Sequence, residues 1–154
     1  MSDSKLISID GQNYLDAFDS SIDQAQEAIE DEFGLFDDWM DRYQYLIDLG
    51  KALPAMESER LTEDRKVSGC QSQVWIDHAW KDGRLYLHAN SDALIVSGLI
   101  SLLLRVYSGR SSEEIRQSEP RFIKTLGLDS HLSPTRSNGL VAMLEAIHSS
   151  AASG

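Results

Sequence analysis

The chain reads as an α+β fold, a small antiparallel sheet of about three strands packed against helices, and three observations predict it. Two amphipathic helical patterns fill the first third, and a hairpin pattern of period two fills the middle. A long apolar helical run then follows, with two further helices behind it. The order is α-α-β-β-α-α-α, without internal repeats or a low-complexity linker.

The first helix is expected over Tyr14 to Phe33, where Leu15, Phe18, Ile22, Ala25, Ile29 and Phe33 share one face opposite an acidic one. Gly34 ends that pattern. The second helix turns Trp39, Met40, Tyr43, Leu46 and Ile47 inward, with Gly50 near its end. Pro54 opens a polar stretch, Ala55 to Asp64, that reads as loop. Val74, Ile76, His78 and Trp80 alternate with Trp75, Asp77 and Ala79, and Lys81-Asp82-Gly83 makes a tight turn to Leu85, Leu87 and Ala89. A short strand around Lys66 and Val67 would put Ser68 to Gln71 in a turn between strands. Asn90 or Ser91 is expected to cap a buried central helix from Asp92 to Tyr107. Ser111 and Glu114 form a capping box for a short helix, Pro120 interrupts, and Leu126 to Leu128 lead into a loop. Ser133 and Pro134 start the last helix, whose inward face is Leu140, Met143, Leu144 and Ile147.

At 154 residues and 42% hydrophobic content the chain suffices for one domain with a core. Its formal net charge of −11 argues against a nucleic-acid binder, because phosphates would be repelled over most of the surface. The longest apolar stretch, Ala93 to Val106, is short for a bilayer and is interrupted by Ser97, Gly98, Ser101 and Arg105, so no membrane span is expected. The first residues lack the basic start and apolar run of a signal peptide, which makes a cytoplasmic location the expectation.

The single cysteine, Cys70, excludes an internal disulfide and any metal or cluster site built from several thiolates. It stands in Val67-Ser68-Gly69-Cys70-Gln71-Ser72-Gln73-Val74-Trp75. Gly69 allows a backbone that presents the thiol at a turn, and Arg65 and Lys66 upstream are placed to favour the thiolate. A free cysteine is equally at home as a small buried hydrophobe, although the polar flanks here weigh against that.

The segment from Gly69 to Trp75 resembles the signature around the active cysteine of the SufE family, which includes CsdE. Three further blocks resemble the family in order and spacing: Tyr43 to Gly50, Ser91 to Ile100, and His131 to Leu140. The resemblance covers most of the chain and leaves residues 1–20 as an N-terminal extension to a SufE-like domain of residues 21–154. It implies a fold shared with IscU-type scaffolds. It also implies a sulfur acceptor rather than an enzyme: Cys70 takes a persulfide sulfur from a pyridoxal-phosphate cysteine desulfurase, SufS-like or CsdA-like, and stimulates that enzyme. The sulfur then goes to a SufB-containing scaffold complex for iron–sulfur cluster assembly. No metal or organic cofactor on this chain is implied.

Around the cysteine, Gly69, Gln71, Ser72 and Gln73 are candidates to shape the loop. Asp92 is read equally as a complement to the central helix dipole or, as the resemblance implies, as a neighbour of the cysteine loop. Arg136 is read as pairing with an acidic group or touching the partner, or as a solvated arginine. His131 fits a structural hydrogen bond better than a base for Cys70. The alternative function is a hydrolase or thiol peroxidase using Cys70 as nucleophile, which requires an orienting histidine and acid; a plain interaction module is a third reading.

Overall fold

Two Asp-Gly pairs build the sheet of the computed structural model, which describes residues 6–153. Asp82 and Gly83 both take positive φ, 54° and 78°. That is the backbone of a two-residue turn whose twist suits antiparallel strands. It joins β3 (Val74–Lys81) to β4 (Arg84–Ser91) in unbroken register, from Val74 opposite Ser91 to Lys81 opposite Arg84. Asp10 and Gly11 repeat the device, with φ of 52° and 82°, between β1 (Leu6–Ile9) and β2 (Gln12–Leu15). Strand β2 meets β4 at Leu15 and Leu87, and β5 (Arg110–Ser111) pairs beside it with Arg84 and Leu85.

Among the described residues the sheet therefore has five strands, in the order β1-β2-β4-β3 with β5 beside β4, where about three were expected. The additional hairpin comes from the segment read as an extension running into a helix. Leu15 and Phe18 match the helical period, but Leu15 is buried in β2 and Phe18 is half exposed. Helix α1 (Ile22–Phe33) starts later, where the Ser21 hydroxyl accepts from Gln24 N. Residues 1–5 of the expected extension lie outside the described residues. The strand expected at Lys66 and Val67 reduces to one bridge, Lys66 to Trp75, with Val67 N donating to Val74 O at 2.8 Å.

Helix α2 (Trp39–Ala52) is capped by Asp38, and its Leu46 is fully buried. Met40 points into solvent instead of inward. Helix α3 (Leu94–Tyr107) begins two residues later than expected. Ala93 holds its N-cap position and has no side-chain acceptor; of the expected caps, Asn90 is bound to Met56 N and Pro54 O, and Ser91 Oγ accepts from Ala93 N at 3.2 Å. The capping box at Ser111 and Glu114 starts α4 (Ser112–Gln117) as read from sequence. Two short helices, α5 (Arg121–Thr125) and α6 (Leu128–His131), replace the expected loop before α7 (Pro134–Ala152), which Ser133 caps. Among the described residues, no helix is long and apolar enough to cross a membrane.

Helix α3 lies on β4 with α1, α2 and α7 around it, and the main core gathers there. Its approach to α2 is backbone on backbone. A Cβ on Gly98 would stand 2.1 Å from Leu46 O, and one on Gly50 would stand 2.5 Å from Leu94 O. Only glycine permits that spacing without moving a helix.

Polar groups anchor the connection from α2 to β3. The buried Arg60 guanidinium donates to Asp77 at 3.1 Å, Glu57 at 2.9 Å and Asn13 O at 2.9 Å. Arg65 pairs with the same Asp77 oxygen at 3.1 Å. Asn90 accepts from Met56 N and donates to Pro54 O. His88, also buried, has Nδ1 3.2 Å from Asn13 O and Nε2 2.9 Å from Pro54 O. These contacts tie the N-terminal hairpin and the loop after Pro54 to one face of β4.

Two expectations follow. Gly98→Ala should lower stability by about 1–3 kcal/mol or more, the range for overpacking, read as an earlier midpoint in urea unfolding. The second concerns acid. Two carbonyls would welcome a doubly protonated His88, but burial first, and then the Arg60 charge, push its pKa below the ordinary value. The unfolded chain then binds a proton below about pH 6.5 that the folded chain refuses. Stability should fall as pH drops from about 6.5 towards 5, and His88→Gln should flatten that slope in urea titrations.

Candidate functional site

The chain leaves the sheet after Val67 and returns at Val74, and the hydrogen bond between these two residues closes the base of the excursion. Between them Ser68 and Gly69 form a turn in which Gly69 has φ +92°, a region that a side chain disfavours. The turn lays Gly69 against α7, where a Cβ would come 3.3 Å from Ala142 Cβ. Cys70, next in sequence, therefore points into the molecule and is half-buried.

Its Sγ lies 3.6 Å from Gly139 O on α7 and faces a small cavity of about 20 Å³. That is room for one water-sized guest. Val74, Val96, Leu99 and Met143 supply the apolar walls. Val67, three residues before Cys70, instead lines a separate groove of about 440 Å³. Burial raises the thiol pKa above its ordinary value, so the resting sulfur is held as the neutral thiol.

Arg65 and Lys66 do not activate it. Arg65 is engaged by Asp77 and Lys66 by Glu63 at 3.0 Å. The cation that does line the cysteine cavity is the exposed Arg136, from the first turn of α7. Gln71 and Ser72 line it as well.

Asp92 stands outside α3 and ties down the far end of the excursion. Its Oδ1 accepts from Gln73 N at 3.0 Å, Oδ2 accepts from Gln73 Nε2 at 3.4 Å, and its own N donates to Gln73 O at 3.3 Å. Arg65 is taken by Asp77 and makes no pair with Asp92. Thus Gly69, Cys70, Gln71, Ser72, Asp92 and Arg136 are brought together at one place.

His131 is engaged elsewhere. Its Nδ1 donates to Gly127 O at 3.0 Å, and its ring stacks on Trp39 with centroids 4.2 Å apart. The hydrogen bond of the sulfur goes to a carbonyl rather than to a base, and Asp92 faces Gln73 rather than an imidazole.

Similarity to known proteins accords with this geometry. The family model described as "SufE: Fe-S metabolism associated domain" matches residues 27–151. The chain belongs to the SufE family. A SufE-like protein of Rhizobium etli is 42% identical over 139 residues, covering 87% of this chain and 91% of that protein. A SufE-like protein of Rhizobium meliloti is also 42% identical, over 86% of this chain and 95% of its own length. The sulfur acceptor protein CsdE of Escherichia coli is 34% identical, over 79% of this chain and 84% of its own length. The solution structure of a Thermus thermophilus protein superposes with a TM-score of 0.68 at 21% identity, covering 84% of this chain and 94% of that one, and shares the fold. The SufE match begins within α1, so the β1–β2 hairpin lies ahead of it.

Of the α7 residues at the cavity, Arg136 was among the candidates from sequence, whereas Gly139 was not, and Met143 was read only as part of the inward face. The available signal was the run of small residues Gly139, Ala142 and Ala146 at helical spacing, which marks a helix face that another segment approaches closely.

The geometry predicts what Asp92 does to thiol access. Asp92→Ala removes two hydrogen bonds at the exit of the turn, and a bond to a charged acceptor contributes about 1.5–3 kcal/mol. Alkylation of Cys70 by iodoacetamide should accelerate by on the order of tenfold, with unchanged circular dichroism. An unaltered rate would leave Asp92 as a residue of the helix approach alone.

Proposed function

We propose that this SufE-family protein is a sulfur acceptor and carrier whose working atom is Cys70 Sγ. The donor in this reading is the persulfide of a pyridoxal-phosphate cysteine desulfurase, SufS-like or CsdA-like. The Cys70 thiol first loses its proton, to solvent or to a group of the donor. The thiolate then attacks the outer sulfur of the donor persulfide, one S–S bond forms as another breaks, and the donor cysteine leaves as thiolate. The number of S–S bonds is conserved, so no oxidant or reductant enters. Emptying the donor cysteine would free it for another turnover, which is how a carrier stimulates the enzyme. The loaded Cys70 would then give its sulfur to a SufB-containing scaffold complex.

The observation that carries this reading is a lone thiol, sheltered by an apolar cavity and kept neutral, on a turn held by a few hydrogen bonds at its feet. A carrier gains from such a resting state, because a neutral, half-buried sulfur reacts slowly with stray oxidants and electrophiles. The donor would have to open the turn, and any contact it makes only with the open form shifts that equilibrium. Gly69 supplies the backbone freedom for the movement. Gln71, Ser72, Asp92 and Arg136 frame the exit and are the residues proposed to meet the partner. The cavity is too small for a peptide or ester substrate, and the engagement of His131 with Gly127 and Trp39 favours a carrier over a hydrolase or thiol peroxidase.

Cys70→Ser tests the assignment. The serine keeps the side-chain volume nearly unchanged in a half-exposed turn, so the variant should fold with a similar unfolding midpoint. Incubated with a desulfurase and L-cysteine, it should acquire no protein-bound sulfur by mass spectrometry. Sulfur accumulating on the serine variant at the wild-type level would overturn the assignment.

A further inference from the structure

Every charged residue from Asp16 to Asp41 is acidic. Part of that charge is neutralised within the molecule: Arg105 holds Asp19 and Glu32 at 3.0 and 2.8 Å, and Arg121 holds Asp23 at 3.0 Å. Asp31, Asp37 and Asp41 have no ion-pair partner among the described residues and are exposed. Asp31 is also badly placed for stability, because it sits in the last turn of α1, which has no basic residue, against the negative end of the helix dipole. Local stability is sacrificed here without an internal compensation.

The same corner exposes apolar surface. Between Leu35 and Met40 four large apolar side chains alternate in fate. Phe36 packs on Tyr45 with ring centroids 5.0 Å apart, and Trp39 stacks on His131. Leu35 and Met40 are left 80% and 82% exposed, the most exposed large hydrophobics of the described residues. Two bare apolar side chains among unpaired carboxylates match a basic surface with an apolar hollow.

Position relative to Cys70 identifies which partner would bring that surface. The Trp39 stack and the Tyr43 hydroxyl, which donates to His131 O, fix the corner against His131. Thr135 and Arg136, four and five residues further on, line the Cys70 cavity. Four residues span at most about 14 Å. A standard interface covers about 800 Å² on each partner, a patch roughly 30 Å across. One protein seated over Cys70 and Arg136 therefore has the Trp39–His131 edge of the corner within reach.

We propose that the α1–α2 corner, Asp31, Leu35, Asp37, Met40 and Asp41, is a second docking surface for the sulfur donor, taking a basic patch with an apolar hollow. The inference rests on the sulfur-acceptor reading above. The donor is the partner that meets the turn closed, and an anchor outside the turn makes its opening an intramolecular step, favoured by effective concentration.

The test uses the full chain, a desulfurase that loads it, and L-cysteine, with sulfur on Cys70 read by mass spectrometry against desulfurase concentration. Two double variants are compared with the wild type, Asp31→Lys/Asp37→Lys and Leu35→Ser/Met40→Ser. Asp31→Lys favours the α1 dipole whereas Asp37→Lys precedes the α2 N-cap, so circular dichroism and the urea midpoint of each variant, expected to match the wild type, separate a docking loss from misfolding. Each variant should need at least about tenfold more desulfurase for half-loading. Half-loading of the wild type should also weaken with added salt, and that of the charge-reversed protein should not. Unchanged half-loading and salt dependence in both would overturn the second surface while leaving the acceptor reading intact. No sulfur on wild-type Cys70 at any desulfurase concentration would overturn the acceptor reading and, with it, the donor as occupant.

Discussion

Helix α3 has ten of its 14 residues buried, so it must be covered on nearly every side, and the rest of the molecule is arranged by that requirement. The sheet takes one side through β4, and α1, α2 and α7 take the others. The cover on the α2 side is close enough to demand glycine at positions 50 and 98. With α2 fixed, the chain must travel back across the sheet to begin β3, and that return passes through the anchors of Arg60, Arg65 and Asn90. The cysteine turn is the end of this path. It is suspended between the first strand residue, the approach to α3 and the first turns of α7.

The Cys70 site is thus a by-product of core geometry rather than of local sequence chemistry. Val96 and Leu99 belong to α3, Met143 and Gly139 to α7, and Val74 to β3, and each is buried for reasons of the core. Where the three elements meet, a small gap is left, and the thiol closes it. Burial then acts on the chemistry by keeping sulfur protonated and slow. The polar residues of the turn do the opposite work: they leave it few apolar contacts of its own, so that a handful of hydrogen bonds decide whether it stays closed. A sheltered thiol on a weakly held turn is what the proposed carrier role calls for.

The parts legible in the sequence were those governed by neighbours along the chain. The β3–β4 hairpin, the capping box at Ser111 and the Ser133-Pro134 start of α7 follow from a few adjacent residues. The SufE-like signature likewise singled out Cys70 within its turn, and Gly69 before it has the positive φ that a turn glycine allows. The N-terminal hairpin was missed because Leu15, Phe18 and Ile22 happen to fit the helical period, although Asp10-Gly11 between short alternating runs is itself a hairpin signal. What decides the state of the thiol was legible only in part: the family resemblance offered Asp92 as a neighbour of the cysteine loop, but not the bonds that hold the thiol. Its hydrogen-bond acceptor is 69 residues away, Asp92 reaches 19 residues back to Gln73, and Arg65 is drawn off by Asp77. Such pairings depend on how elements pack, which spacing along a chain does not specify.

The central claim is that Cys70 is where this protein receives sulfur, and the most direct measurement is peptide mapping by mass spectrometry after incubation with a cysteine desulfurase and L-cysteine. One additional sulfur atom on the peptide that contains Cys70, removed by a thiol reductant and absent when L-cysteine is omitted, is the predicted result. An unmodified Cys70 peptide, while the desulfurase is turning over and persulfide is present on its own cysteine, would contradict the account.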